Sequence, residues 1–107
     1  MRLFHFFRNT TDMNVGVAEY KTNDGAVLLD VRTAEEYRDG HIEGSVNIPL
    51  DRISSVENIV KDKSTPLYVH CLSGGRSGQA VSYLKQIGYT NVKNIGGISS
   101  YRGKVVK

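Results

Sequence analysis

The 107-residue sequence contains a single cysteine, Cys71, and no long apolar segment. One cysteine cannot form an internal disulfide, and it excludes a zinc site built from several cysteines. No part of the chain approaches the roughly 18 apolar residues that a membrane-spanning helix needs. The apolar stretch at the start is interrupted by His5 and closed by Arg8, which is too short for a signal peptide. We therefore expect a cytoplasmic protein that has no membrane partner.

The sequence also lacks a concentrated charge of one sign. Lysine and arginine number 14 against 11 aspartates and glutamates, which gives a net charge of +3. Apart from Arg102, Lys104 and Lys107 the positive residues are scattered, and no basic run is interleaved with the aromatic residues of a nucleic-acid stacking platform. We therefore expect no nucleic-acid partner and at most a mild preference for small anions.

Short apolar runs alternate along the chain with segments of helical pattern. The runs predict β-strands at 26–29, 45–48, 67–71 and 92–95. A capping box from Thr33 to Glu36 predicts a short helix that ends at Gly40, and apolar spacing predicts further helices at 77–87, 53–60 and 12–20. This alternation indicates an α/β fold with a central, mainly parallel β-sheet flanked by helices.

Cys71 lies where the predicted strand 67–71 meets the predicted helix 77–87. The connecting loop reads Leu-Ser-Gly-Gly-Arg-Ser over residues 72–77. An ordinary thiol has a pKa of about 8.5, but small residues at 73–75 can take left-handed angles that turn backbone N–H groups inward around an anion. The helix N-terminus and Arg76 add positive charge. The pattern is typical of a nucleophile or sulfur carrier, although a lone cysteine at a strand end can also be a small buried hydrophobic residue.

Four blocks of residues complete the pattern. They read LDVR with EEY (29–32 and 35–37), GHIEGSVNIP (40–49), CLSGGRS (71–77), and GY with GGI (88–89 and 96–98). In these blocks and their order the chain resembles the single-domain rhodaneses, an α/β family of sulfurtransferases. The resemblance implies a rhodanese-like domain over 10–107. Residues 1–9 form a lead segment outside the match, in which Phe4, Phe6 and Phe7 are expected to pack against the domain.

The resemblance also implies an activity and a set of site residues. Cys71 matches the catalytic cysteine, which takes a sulfane sulfur from a small anionic donor such as thiosulfate and carries it as a persulfide. The acceptor is cyanide, a thiol, or the cysteine of a partner protein in a sulfur relay. The substrate-binding loop would consist of Leu72, Ser73, Gly74, Gly75, Arg76 and Ser77. Residues expected to support the scaffold rather than perform chemistry are Asp30, Arg32, Glu36 and His41.

Two other functions of the same fold stay open. Phosphatases and arsenate reductases also use a loop cysteine and an arginine, but these relatives have five residues between the two, whereas four lie between Cys71 and Arg76 here. A non-catalytic binding or regulatory module of this fold often lacks the cysteine, which this chain keeps. The family often has Trp near Tyr101, and the tyrosine ring is expected to pack in the same way.

Metals and cofactors are not expected. The three histidines and the cysteine show no metal-ligand spacing, and the sequence has neither a Walker motif nor a dinucleotide-binding glycine motif. His70 precedes Cys71, but adjacent strand residues point to opposite faces, so His70 is not expected to act as its base.

Overall fold

The computed structural model describes residues 12–107, which form one sheet of four parallel strands. The strands are β1 (Val27–Asp30), β2 (Val46–Asn47), β3 (Leu67–Cys71) and β4 (Val92–Gly97), and they lie side by side in the order β2-β1-β3-β4. The helices are α1 (Met13–Lys21), α2 (Ala34–Asp39), α3 (Val56–Ile59) and α4 (Gly75–Gln86). The α/β class and the parallel sheet are confirmed. The prediction for Phe4, Phe6 and Phe7 falls outside the described residues.

The predicted elements are present, with corrections at their ends. The strand predicted at 67–71 is confirmed as β3. The helix predicted at 77–87 begins two residues earlier, at Gly75, because Gly74 takes the left-handed turn (φ 113°) that lets the chain enter the helix at once. The helix predicted at 53–60 is wrong in its first part, where a 3-10 helix (Leu50–Ser55) kinked at Arg52 precedes the short α3.

The sheet is covered on both faces. On one face, α4 and α3 bury a cluster that contains Leu29, Val69, Cys71 and Leu84. On the other face, α1 buries a smaller cluster around Leu28 and Ile95, against which Tyr101 packs. Gly16 permits this close approach, since a Cβ there would lie 2.5 Å from Ile95 Cγ2. Burial of strands on both faces explains why their sequences read as continuous apolar runs.

The segment from β1 to β2 is fixed by local polar contacts. Thr33 and Glu36 form the predicted capping box of α2, and Gly40 follows the helix as its C-terminal cap. An antiparallel bridge joins His41 to Val106 and thereby ties the C-terminal segment to this region. Among residues 12–107, no helix has both the length and the apolar composition to cross a bilayer.

Candidate active site

The carboxyl ends of the parallel strands meet at one edge of the sheet. Asp30, Asn47, Cys71 and Gly97 are the last residues of β1, β2, β3 and β4. Ligands of open parallel sheets bind beyond this edge. Cys71 itself is only 1% exposed, whereas the next residue, Leu72, is 43% exposed and lies at the rim. A reagent therefore reaches the sulfur through the loop that follows β3.

The loop closes tightly around the Cys71 sulfur. The Gly74 N–H donates a hydrogen bond to Sγ at 3.0 Å, and α4 begins at the next residue with its N-terminus directed toward the thiol. We expected left-handed angles at Ser73, Gly74 and Gly75. The structure corrects this, since only Gly74 has a positive φ and Gly75 is already helical. One left-handed residue is enough because the helix supplies the remaining turn.

The electrostatic environment favours the thiolate of Cys71. Burial raises the pKa of the thiol, but the Ser77 hydroxyl and the backbone amides of Ser77, Gly74 and Ser73 lower it by more, so the net shift is downward from the ordinary value. A lowered pKa increases the fraction of thiolate at neutral pH, and the thiolate is the nucleophilic form. The arrangement is thus suited to nucleophilic chemistry at Sγ.

Ser77 and Asn94 form a buried polar contact beneath the loop. Ser77 is fully buried, and its hydroxyl lies 3.5 Å from Cys71 Sγ and 2.8 Å from Asn94 Oδ1. A β-bulge in β4 turns Asn94 toward the loop, since Val69 pairs with Asn94 while His70 pairs with Gly96. Ser77 is one of the predicted loop residues, whereas Asn94 is a site residue that was not predicted. A polar residue two positions before the Gly-Gly pair at the end of β4 was the available signal.

Gly97 supports the loop from the end of β4. A Cβ at this position would lie 2.1 Å from the carbonyl oxygen of Leu72 and 2.5 Å from the Cα of Ser73, so only glycine fits. The Ser99 N–H donates a hydrogen bond to the same Leu72 oxygen at 3.1 Å. The backbone after Cys71 is therefore held between β4 and the 3-10 helix Ile98–Ser100.

Arg76 at the rim is paired with Glu36. Its guanidinium donates two hydrogen bonds to the carboxylate, at 2.8 and 3.0 Å, and both side chains are about one-third exposed. The Arg76 guanidinium lowers the pKa of Glu36 to about 2, and Glu36 in turn raises the pKa of Arg76. Glu36 thus has two roles, because its carboxylate also accepts from the Thr33 N–H in the capping box. Only the capping-box role was predictable from the sequence.

The other predicted support residues lie beneath the same edge of the sheet. Arg32 is buried and donates to both carboxylate oxygens of Asp30 and to the Gly40 carbonyl. The Asp30 carboxylate also accepts from the Arg32 backbone N–H. His41 contacts the Tyr37 carbonyl through Nδ1 at 2.8 Å and stacks on the Tyr37 ring. These side chains hold the loops in place and do not contact Sγ.

His70 faces Asp30 and not the Cys71 sulfur. Its Nε2 lies 3.7 Å from Asp30 Oδ2, and its Nδ1 lies 3.1 Å from the Cys71 carbonyl oxygen. Burial lowers the pKa of His70 more than the Asp30 charge raises it, so the ring is neutral at neutral pH. In the part of the chain that the structure describes, its Nε2 has no hydrogen-bond partner.

An apolar crevice of about 370 Å³ borders the rim beside Arg76. Its other walls come from the segments that follow β1 and β2: Val31, Thr33, Pro49, Leu50 and Asp51. Within residues 12–107, no group of three His, Cys, Asp or Glu side chains is placed to hold a metal ion.

Comparison with known proteins gives consistent matches. The family described as "Rhodanese-like domain" matches residues 16–104. Thiosulfate sulfurtransferase PspE of Escherichia coli is 39% identical over 80 residues, which are 74% of this chain and 77% of that protein. The adenylyltransferase and sulfurtransferase uba4 of Ogataea parapolymorpha is 36% identical over 88% of this chain, which spans only 24% of that protein. A solved rhodanese with anions from E. coli superposes with a TM-score of 0.72 and 37% identity, covering 77% of this chain and 98% of that one.

Proposed function

The chain belongs to the rhodanese-like domain family, and on that premise we propose that it is a sulfurtransferase that carries sulfane sulfur as a persulfide on Cys71. The observation that carries the proposal is the Gly74 N–H at 3.0 Å from Sγ, at the start of a 12-residue helix. An anion at this point gains both a hydrogen bond and the positive end of the helix. The thiolate carries its charge at this point, and a persulfide would carry it on the outer sulfur, one bond beyond Sγ in the same loop.

In the first half-reaction, the Cys71 thiolate attacks the outer sulfur of thiosulfate. The S–S bond of thiosulfate breaks, sulfite leaves with the bonding electron pair, and the transferred sulfur stays on Sγ with a negative charge. In the second half-reaction, cyanide or a thiolate attacks this outer sulfur. The Cys71–sulfur bond then breaks, and the thiolate is regenerated. No oxidant or reductant is consumed, and the enzyme returns to its initial state.

The loop determines what can be bound on Cys71. A disulfide-type S–S bond is about 2.0 Å long, so the outer sulfur would lie just beyond Sγ, inside the ring of residues 72–76. We assign Leu72, Ser73, Gly74 and Gly75 to the wall of that ring and Ser77 to its floor. Arg76 is assigned to the rim, where its charge attracts an anionic donor.

Donor, acceptor and location follow from the same proposal. A small anionic donor fits the loop amides and Arg76, and the exposed Leu72 leaves the rim open to a thiol, cyanide or a cysteine of a partner protein. A reduced Cys71 is required for every cycle, which is consistent with a reducing cytoplasm. We assign Asp30, Arg32, Glu36 and His41 to the scaffold.

Intact-mass analysis tests this function. Incubation with thiosulfate should add the mass of one sulfur atom, and subsequent cyanide should remove it with release of thiocyanate. Because the chain has one cysteine, the added sulfur is assigned without peptide mapping. Cys71→Ser keeps a side chain of similar size that cannot form a persulfide, so it should stay folded and gain no sulfur. Turnover by the folded serine variant would show that Cys71 is not the nucleophile. Absence of any sulfur adduct on the unmodified chain would favour a non-catalytic module.

A further inference from the structure

The Ser77 hydroxyl beneath Cys71 is surrounded by more acceptors than it has protons. Four atoms lie around its Oγ: Asn94 Oδ1 at 2.8 Å, the Gly74 carbonyl oxygen at 3.0 Å, the Gly96 carbonyl oxygen at 3.4 Å and Cys71 Sγ at 3.5 Å. A serine hydroxyl has one proton and can donate it to only one of them at a time. The acceptors therefore compete for this proton.

The orientation of the Asn94 amide decides which competitor is strongest. The Gly96 N–H donates a hydrogen bond to the Asn94 side chain at 2.9 Å, so the atom it meets has to be the amide oxygen. The Ser77 oxygen lies 2.8 Å from the same amide oxygen, and of these two atoms only the hydroxyl has a proton to give. Ser77 thus donates to Asn94, and this is the shortest of its four contacts.

Protonation of Cys71 changes the balance of this contact. In the thiol form, the Cys71 S–H donates to the Ser77 oxygen while Ser77 donates to Asn94, so every proton has an acceptor. In the thiolate form, Sγ is only an acceptor, and Ser77 can donate to it only by turning its proton away from Asn94. Loss of the sulfur proton to solvent therefore comes at the expense of the Ser77–Asn94 hydrogen bond.

We propose that Asn94 is a positioning residue that holds the Ser77 hydroxyl proton away from the Cys71 sulfur and so favours the thiol over the free thiolate. It does not touch Sγ and acts only through Ser77. Under the proposed function, the same contact favours the persulfide. Its negative charge lies on the outer sulfur, Sγ becomes a weak acceptor, and Ser77 donates to Asn94 again. The Asn94 contact thus stabilises the loaded form relative to the empty thiolate.

Other charged groups also act on Cys71, from each element packed around β3. They are Arg76 with its partner Glu36 at the rim, the Asp30–Arg32 pair at the end of β1, Asp51 in the segment after β2, and the neutral His70 on β3 itself. Lys93 on β4 is paired with Glu19. None of these groups is hydrogen-bonded to Asn94, so their effect on the Cys71 pKa stays constant when Asn94 is replaced.

A double-mutant cycle on the Cys71 pKa tests the proposal. The readout is the ultraviolet absorbance of the Cys71 thiolate as a function of pH, with Cys71→Ser as the blank that subtracts the ionisation of the six tyrosines. Asn94→Ala should lower the pKa by about half a unit to one unit, the value of one released hydrogen bond. Ser77→Ala should raise the pKa, because the thiolate loses a donor. In the Ser77→Ala background, Asn94→Ala should have no further effect.

Asn47→Ala is the matched control. Asn47 is also the last residue of a strand at this edge, and its amide donates to the carbonyls of Asp30 and Arg32 without contacting Ser77. Its replacement should reduce stability and leave the Cys71 pKa unchanged. A merely structural role of Asn94 would give the same result as this control.

If Asn94→Ala does not fold, Asn94→Asp replaces it in the cycle. The carboxylate keeps the acceptor for Gly96 N–H and binds the Ser77 hydroxyl more strongly, so the Cys71 pKa should rise, and rise less when Ser77 is alanine. The proposal is overturned if Asn94→Ala leaves or raises the pKa, or if the effect of either Asn94 variant is equally large without Ser77. The titration requires no sulfur transfer, so its result is independent of whether the proposed function is correct.

Discussion

Replacing Gly97 with alanine should displace the loop that holds Cys71. The backbone at Gly97 is ordinary extended chain (φ −132°, ψ 143°), so alanine meets no conformational strain there. The added Cβ, however, would lie 2.1 Å from the Leu72 carbonyl oxygen and 2.5 Å from both the Leu72 carbonyl carbon and Ser73 Cα. Real Cβ contacts below 3.0 Å essentially do not occur. Since all three atoms belong to the backbone, no side-chain rotation relieves the clash, and the loop itself has to move by about 1 Å.

The expected loss of stability and activity follows from the hydrogen bond that such a loop shift weakens. A displacement of about 1 Å that moves the Gly74 N–H away from Cys71 Sγ lengthens their 3.0 Å contact to the outer limit of a hydrogen bond to sulfur. We expect a loss of about 1–3 kcal/mol in the free energy of unfolding, as for other overpacked sites. Sulfur transfer should fall by about a hundredfold, the usual effect of misplacing a reacting group by this distance. The Cys71 pKa should rise because a donor to the thiolate is lost.

Gly78→Ala is the control, because it adds the same methyl group where there is room. The nearest atom to its Cβ, outside its own helix backbone, is Asn94 Nδ2 at an ordinary 3.5 Å, and the residue lies inside α4. Alanine should stabilise the helix by about 0.5–1 kcal/mol. Urea unfolding measures the stability of each variant, and mass spectrometry of persulfide formation measures its sulfur transfer. If Gly97→Ala retained both wild-type stability and wild-type sulfur transfer, the close packing of β4 against the loop would not be what positions Cys71.

Three further predictions concern the rim and the length of the loop. Arg76→Ala should reduce the efficiency of sulfur transfer from thiosulfate by about tenfold. This is the low end for a charge-assisted contact, since Glu36 already neutralises part of the Arg76 charge. An equal loss with an uncharged donor would show that Arg76 does not bind the donor. The pKa of Glu36, about 2, lies below its unfolded value, so its pair contributes stability above about pH 4.5 and loses it as the pH falls toward 2. For side chains this exposed we expect the free energy of unfolding to fall by about 1 kcal/mol over that pH range. Urea unfolding at both ends of the range should show this loss in the unmodified chain and not in Glu36→Gln. One glycine inserted between Gly74 and Gly75 should weaken sulfur transfer and improve arsenate or phosphate binding in a variant that circular dichroism shows to be folded. Phosphatase turnover by the unmodified chain comparable to its sulfur transfer would contradict the loop-size argument.

Local signals in the sequence were sufficient for the fold and for the position of Cys71. β3 begins after Pro66 and ends where the small loop residues start, so its bounds were predictable. The capping box from Thr33 to Glu36 is likewise a short-range pattern. The turn of His70 away from Sγ follows from strand alternation alone. Each of these features depends on residues within a few positions of one another.

The contacts that refine the site depend instead on the tertiary structure. Glu36 and Arg76 are 40 residues apart in sequence, and nothing in the capping-box pattern shows that its carboxylate also binds the rim arginine. Asn94 reaches Ser77 because a β-bulge changes the register of β4, and a bulge has no reliable local signature. The pairing of strands brings these residues together, so an analysis of single segments could not find them.

The two anion-binding devices of the loop differ in how much they contribute to the thiolate. Arg76 gives two hydrogen bonds to Glu36, and solvent screens both partners because each is about one-third exposed. The Gly74 N–H lies 3.0 Å from Sγ, and it belongs to backbone that is anchored at the first turn of α4, where the Gly74 carbonyl accepts from the Gly78 N–H. A fixed donor to a buried anion contributes more than a charge that is already paired and partly hydrated. We therefore expect the backbone to stabilise the thiolate and Arg76 to act on donor binding, so displacing the loop at Gly97 should cost more activity than removing the rim charge.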